Sequence, residues 1–217
     1  MWAIFVKGGP VMYPLAVMSI LTLAVLIEKL FALRTSRVIQ SEIVSCIESI
    51  RNPGDIPLAI KICERYDTPF ANIVRAGLVE AGKPTHAVRQ AMEDVGRREV
   101  KRLERYLVML ETAAGAGPLL GLLGTVTGMI EVFSVISVSG VGQTGQLSGG
   151  IAEALITTVF GLVIGVPALV AFNFLDARIS GLVLRIDEYA HRVMKQLAQM
   201  EGRSFAETDA ELHLRKG

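Results

Sequence analysis

The stretch GPLLGLLGTVTGMI, residues 117–130, decides the fold class. It is almost wholly apolar, yet four of its fourteen residues are glycine, which is a poor helix former in water. In lipid, small residues instead let two helices approach closely, because no side chain keeps the backbones apart. We therefore expect a membrane-spanning helix that packs tightly against another helix, within the chain or between copies. The glycines share one face of that helix: Gly117, Gly121, Gly124 and Gly128.

The composition places the whole chain among membrane proteins. Of its 217 residues, 51% are hydrophobic and 20% are charged, and the mean hydropathy is +0.47. The net charge of +1 argues against a nucleic-acid binder. The two cysteines and three histidines are too scattered to predict a metal site, and no nucleotide-binding or nucleophile motif is present. We expect no cofactor and no enzymatic activity.

Three stretches are long and apolar enough to cross a bilayer, which takes about 20 residues in a helix. They predict an all-α membrane protein with three transmembrane helices and with long helices that extend into a cytoplasmic helical domain. We expect one continuous helix from His86 into the second span. The predicted parts are an interfacial segment with the first span (1–35), a cytoplasmic helical domain (36–106), the second span (107–138), a short external loop (139–150), the third span (151–176), and a cytoplasmic C-terminal helix and tail (177–217).

The positions of lysine and arginine predict the orientation. Lys7 is the only basic residue before the first span, and the loop 139–150 carries no charge. All other basic residues lie at or beyond the opposite ends of the spans. Because cytoplasmic flanks are enriched in Lys and Arg, we expect the N-terminus outside and the C-terminus in the cytoplasm.

Local signals predict helices in the cytoplasmic parts. The turn NPGD at 52–55 ends one helix, and Thr68 before Pro69 is typical of an N-cap followed by the first helical residue. We expect the basic run 97–105 to set the topology and to meet anionic headgroups, with a docking surface for a partner as the alternative. A further apolar stripe is expected to pack against other cytoplasmic helices rather than on a membrane surface. It comprises Ile186, Tyr189, Ala190, Val193, Leu197 and Met200.

Polar groups inside the spans are the candidate functional residues. Glu153 lies about one turn from the threonine pair of the third span, and an ionisable group in a membrane is costly unless it faces an interior or a water-filled path. Pro118 and Pro167 free backbone carbonyls as further acceptors. The hydroxyls are Thr125 and Thr127 in the second span and Thr157 and Thr158 in the third. The pattern predicts a polar strip that lines a pore or faces a partner helix.

The third span has a close-packing motif of its own, with Gly161 and Gly165 four residues apart. No aspartate lies within the apolar part of any span, which in the third ends at Leu175, so this chain alone lacks the mid-membrane titrating group that a self-contained proton pump needs. If an ion crosses here, we expect the main titrating group on another subunit.

These residues resemble a known family. AGAGPLLGLLGTVTGMIEVF (114–133) and GIAEALITTVFGLVIGVPALVAFNF (150–174) are similar to the two pore helices of the MotA/TolQ/ExbB proton-channel family. GGPVMYPLAVMSILTLAVLIEKLF (8–31) resembles the first helix of the ExbB/TolQ branch. Three spans with the N-terminus outside match that branch, whereas MotA has four spans.

The resemblance implies a function and partners. In the family, a homopentamer surrounds a pair of single-span partners of the ExbD/TolR/MotB type, whose membrane aspartate carries the proton. Ion flow then drives mechanical energy transfer to the outer membrane or envelope, in some systems through a TonB- or TolA-like protein. The implied location is the bacterial inner membrane, in contact with lipids and without nucleic acid.

The resemblance also implies roles for individual residues. Thr125 matches the family's second-span threonine, Thr158 the third-span threonine that faces the partner's aspartate, and Glu153 the third-span glutamate. Thr157 is placed beside them on the ion pathway. The residues expected to shape and pack the pore are Gly117, Pro118, Gly121, Gly124, Gly128, Gly161, Gly165, Pro167 and Asn173.

Several alternatives stay open. Thr127 stands where many relatives have tryptophan, and it is assigned no role; the adjacent threonines also resemble sodium-driven members, so the ion is either a proton or sodium. A purely structural scaffold for the partner is the competing function. A small-solute transporter fits poorly, because no inverted repeat or pair of broken helices is apparent. The sequence does not distinguish siderophore or vitamin uptake from envelope maintenance or motility.

Overall fold

The computed structural model describes residues 8–139 and 144–200, which are helical almost throughout, with no strand among them. The predicted all-α fold is confirmed. The helices are α1 (Met12–Ala32), α2 (Thr35–Val38), α3 (Ser41–Ser49), a 3₁₀ turn (Pro53–Asp55), α4 (Ile56–Glu64), α5 (Pro69–Val79), α6 (Thr85–Glu104), α7 (Leu107–Ser139) and α8 (Thr144–Met200). The interfacial segment predicted at the N-terminus and the predicted tail fall largely on residues 1–7 and 201–217, outside the described residues.

Helices α1, α7 and α8 are the three long enough and apolar enough to cross a membrane, as predicted. The 21 residues of α1 span roughly 32 Å, which matches a hydrocarbon core of about 30 Å. The 57 residues of α8 span roughly 85 Å, so this helix runs far beyond a bilayer. The predicted extension of a membrane helix beyond its span is therefore present in α8.

The described residues form two compact units. The membrane unit comprises 8–30, 106–139 and 144–176, and the second unit comprises 31–105 and 177–200. Each unit combines helices that are distant in sequence, and α8 contributes to both.

The core of the second unit is formed around the apolar stripe of α8. The ring of Tyr189 lies 5.3 Å from that of Phe70, which is fully buried. The side chain of Arg178 donates a hydrogen bond to the carbonyl of Leu33 at 2.8 Å, and Gln196 donates to the carbonyl of Ile50 at 2.6 Å. The predicted packing of the stripe is confirmed, since four of its members are buried: Ile186, Ala190, Val193 and Leu197.

Two local predictions in this unit are confirmed. The Thr68 hydroxyl accepts a hydrogen bond from the N–H of Ala71 and caps α5, with Pro69 as its first residue. In the NPGD turn, the carboxylate of Asp55 accepts the N–H groups of Arg51 and Asn52, which lowers the pKa of Asp55. These bonds close the 3₁₀ turn.

The structure differs from the predicted course of the chain at two places. The helix expected to run unbroken from His86 into the second span ends at Glu104, and α7 begins at Leu107. Between them Tyr106 has a φ of 72°, in the left-handed region that a bulky residue rarely adopts, and the ammonium group of Lys29 lies 5.9 Å from the centre of its ring. No proline or glycine marks this break, so the sequence pattern missed it.

The second difference concerns the predicted external loop. Of residues 139–150, those from Thr144 onward already belong to α8. Glycine opposes a helix in water, but here Gly150 packs against α7, where an added Cβ would lie 2.6 Å from the side chain of Val132. Packing against α7 therefore stabilises helical structure in a segment whose own residues disfavour a helix.

Candidate functional site

The glycine face of α7 packs directly on α8 within one chain. A Cβ at Gly117 would lie 3.1 Å from the carbonyl oxygen of Gly161, and one at Gly121 would lie 3.0 Å from the Cα of Thr158. The obstacles are backbone atoms, which cannot move aside as a side chain can. The sequence left open whether the glycines pack helices within one chain or between copies, and in the structure they pack helices within the chain.

The same close approach continues along both helices. At Gly128, an added Cβ would lie 2.9 Å from the Cβ of Ala154, and at Gly165 it would lie 2.6 Å from the ring of Pro118. All of the glycines predicted to pack the pore are buried. Pro118 therefore fills the space that Gly165 leaves open, and the two residues form one contact.

Thr158 joins the two helices by a hydrogen bond. Its hydroxyl donates to the carbonyl of Gly121 at 2.9 Å, although a threonine in a helix commonly bonds a carbonyl of its own preceding turn. The bond forms because Gly121 brings the α7 backbone close enough to reach. The residue is half-buried, so Thr158 lies at the edge of the seam between the helices.

Thr157 has a different environment from its neighbour. It is fully buried, and its hydroxyl lies 2.8 Å from the carbonyl of Gly8 and 2.9 Å from that of Glu153. Its methyl group occupies the space beside Gly124. The structure thus separates the pair: Thr158 faces α7, and Thr157 joins α8 to the segment before α1. The pathway role predicted for Thr157 stays a prediction.

Glu153 lies one turn before Thr157 and is half-buried. Its carboxylate occupies the space that a side chain at Gly9 would fill. Gly9 has a φ of 69°, which favours glycine. Sequence reasoning missed Gly8 and Gly9 as site residues, although a glycine pair directly before Pro10 is a signal for a turn.

The hydroxyls of α7 are satisfied within their own helix. Thr125 donates to the carbonyl of Leu122 at 2.6 Å and is half-buried. The Thr127 hydroxyl lies 3.0 Å from the carbonyl of Leu123, and the residue is exposed. The structure therefore gives Thr125 a local partner and does not join it to Thr158 by a hydrogen bond.

Two predicted residues lie on the surface of α8. Pro167 and Asn173 are both exposed in the single chain. Pro167 lacks an N–H group, yet α8 continues through it. Neither residue contributes to the seam with α7 in the way that the glycines do.

The basic run 97–105 is partly neutralised by nearby carboxylates. Arg97 bonds Asp94 at 2.6 Å, and the guanidinium of Arg102 donates two hydrogen bonds of 3.1 Å to Asp67. The bonds from Arg102, with a further one from Asn72, lower the pKa of Asp67. Two of the basic side chains predicted to meet headgroups are therefore paired with carboxylates within the second unit.

Comparison of the sequence with known proteins identifies a family. A profile of the MotA/TolQ/ExbB proton channel family matches residues 65–188, which include α7 and most of the apolar part of α8. An ExbB-like biopolymer transport protein of Synechocystis sp. is 33% identical over 180 residues, covering 79% of this chain and 68% of that protein. A second from the same organism is 30% identical, covering 76% and 80%. The Tol-Pal system protein TolQ of Haemophilus influenzae is 37% identical over 93 residues, covering 43% and 41%.

Proposed function

Because the chain belongs to the MotA/TolQ/ExbB proton channel family, we propose that it is the channel-forming subunit of an ExbB/TolQ-like motor in the bacterial inner membrane. Membership of this family indicates a role in energising transport. The proposal is that this chain acts as a channel rather than an enzyme, and that it couples ion flow to mechanical energy transfer to the outer membrane or envelope.

The observation that carries the proposal is the seam between α7 and α8. Gly121 lets the helices approach, and Thr158 places a half-buried hydroxyl at the edge of the contact. Polar groups in a membrane are costly and usually face an interior or a path for ions. No aspartate lies within the apolar part of the spans, which in the third ends at Leu175, so the titrating group comes from a partner. The proposed partner is an ExbD/TolR-like single-span protein with a membrane aspartate.

The surface of the membrane unit supports an assembly. Large apolar side chains of α7 point away from the glycine face and are exposed in the single chain: Leu119, Leu122, Leu123, Val126, Ile130 and Phe133. In a membrane they contact lipid, further copies or the partner. We propose a homopentamer around the partner, with the N-terminus in the periplasm, the C-terminus in the cytoplasm, and a TonB- or TolA-like protein receiving the energy.

The experiment is ion flux in liposomes that contain this chain with its ExbD/TolR-like partner. We expect flux only when both proteins are present, and its loss when the partner's membrane aspartate is replaced by asparagine. Flux that needs neither the partner nor the partner's aspartate would contradict the proposed channel. Stable assembly without any flux would instead support the scaffold.

The same liposomes distinguish the two candidate ions. A pH-sensitive dye inside the vesicle reports protons, and a sodium-sensitive dye reports sodium under an equal driving force. Partner-dependent acidification in sodium-free buffer supports a proton channel. Flux that requires sodium supports the sodium-driven alternative.

A further inference from the structure

The segment before α1 turns over one face of α8. We call residues 8–12 the N-terminal cover. Gly9 adopts its left-handed conformation, and its carbonyl accepts the N–H of Met12 at 3.2 Å, which starts α1. Met12 is 1% exposed. A Cβ at Gly8 would lie 3.4 Å from Ile156, so the turn rests directly on α8.

Two contacts fasten the cover to α8, and a third sets the position of Thr157 itself. The Thr157 hydroxyl bonds the carbonyl of Gly8 at 2.8 Å, and the Thr157 methyl group packs beside Gly124, which fixes the direction of the hydroxyl. The carboxylate of Glu153 lies in the space below Gly9. Thr157 therefore contacts the cover, α7 and α8 at one point.

We propose that Thr157 is a positioning residue that holds the N-terminal cover over Glu153 and thereby keeps water at this end of the spans from the carboxylate. The proposal rests on the proposed function, since it concerns the access of water to the same ion pathway. Thr157 acts through the cover and does not contact the ion.

Two substitutions separate the hydroxyl from the shape of the side chain. Thr157→Val keeps the methyl group beside Gly124 and removes the hydrogen bond to Gly8. Thr157→Ser keeps the hydroxyl and removes the methyl group. If only the packing of the side chain matters, Thr157→Ser should alter the protein at least as strongly as Thr157→Val. If the hydrogen bond to the cover matters, only Thr157→Val should have an effect.

The cover is tested by the reactivity of a reporter cysteine beneath it. In a Cys46→Ser, Cys63→Ala background, Ile156→Cys is placed in nanodiscs, where a charged thiol reagent reaches both membrane faces. We expect Thr157→Val to raise the labelling rate about tenfold, the effect of losing one hydrogen bond of ordinary net strength. Thr157→Ser should label at the rate of the parent. Equal rates for the valine variant and the parent would overturn the proposal.

A substitution in the cover itself gives a second test, which does not depend on correct folding of the valine variant. Gly9→Ala is strained by its positive φ and by Glu153, so it should lift the cover while Thr157 stays intact. Gly54→Ala is the matched control, because nothing lies within 4 Å of its Cβ. Faster labelling for Gly9→Ala alone supports the cover, and equal labelling for both contradicts it.

The consequence for ion flow is measured in liposomes that contain the chain together with its partner. Thr157→Val should leak ions several-fold above the parent, and Thr157→Ser should not. A gain of leakage is not expected from simple destabilisation. If the parent shows no flux even with its partner, the proposed channel fails, while the labelling rates still decide on the cover. A valine variant that labels faster and leaks no more than serine would contradict the role in ion access.

Discussion

A threonine inside a membrane helix satisfies its hydroxyl on its own helix or on a neighbouring segment. Thr125 takes the first course, and Thr158 takes the second by bonding Gly121. The sequence predicted the glycine face, because its spacing follows from helix geometry. It could not predict the choice of each hydroxyl, because that depends on fractions of an ångström in the approach of the neighbouring backbone.

The close approach of α7 and α8 leads to a residue-scale prediction. A Cβ at Gly161 would lie 2.6 Å from the carbonyl oxygen of Gly117, so Gly161→Ala forces two backbones apart. We expect a loss of about 1–3 kcal/mol, the usual cost of overpacking. Thermal unfolding of the detergent-solubilised protein measures it.

Gly115→Ala is the control for that substitution. Gly115 also lies in α7, but nothing lies within 4 Å of its Cβ, so alanine should be neutral or slightly stabilising. Similar melting temperatures for Gly161→Ala and the starting protein would show that the helices do not pack as closely as described.

At the scale of helices, local chemistry predicted some boundaries and missed others. Thr68 and Pro69 marked the start of α5 because capping and proline geometry act within one turn. The break before α7 was not predictable, because Tyr106 adopts its positive φ in contact with Lys29, 77 positions earlier in the chain. Boundaries set by distant contacts leave no local pattern.

The cap of α5 gives a prediction for this scale. Thr68→Ala leaves the N–H of Ala71 without its side-chain acceptor and should cost about 1 kcal/mol. For a chain of this size, the melting temperature should fall by roughly 2–4 °C. Thr68→Ser keeps the acceptor oxygen and should melt near the starting protein. An unchanged melting temperature for Thr68→Ala would show that the cap contributes nothing.

For the whole molecule, composition and periodicity predicted three spans because lipid demands long apolar helices. The division into two units was only partly predictable. The sequence separates cytoplasmic from membrane segments, but α8 passes through both as one helix. Orientation is a prediction from the distribution of charge.

The orientation is tested by labelling in intact cells. Gly145 is exposed in the first turn of α8, next to the uncharged stretch, and should lie outside the inner membrane. A thiol reagent that passes the outer membrane but not the inner membrane should label Gly145→Cys. It should leave Cys46 unlabelled until the inner membrane is opened. Labelling of Cys46 in intact cells with protection of Gly145→Cys would reverse the predicted topology.

The central claim is that the Thr158 hydroxyl at the seam of α7 and α8 belongs to the ion pathway. Partner-dependent ion flux in liposomes, compared between Thr158→Val and Thr158→Ser, tests it most directly. Valine keeps the shape and removes the hydroxyl, so flux should fall at least tenfold while the assembly with the partner survives. Serine should retain most of the flux. Flux in the valine variant equal to that of the starting protein would contradict the claim.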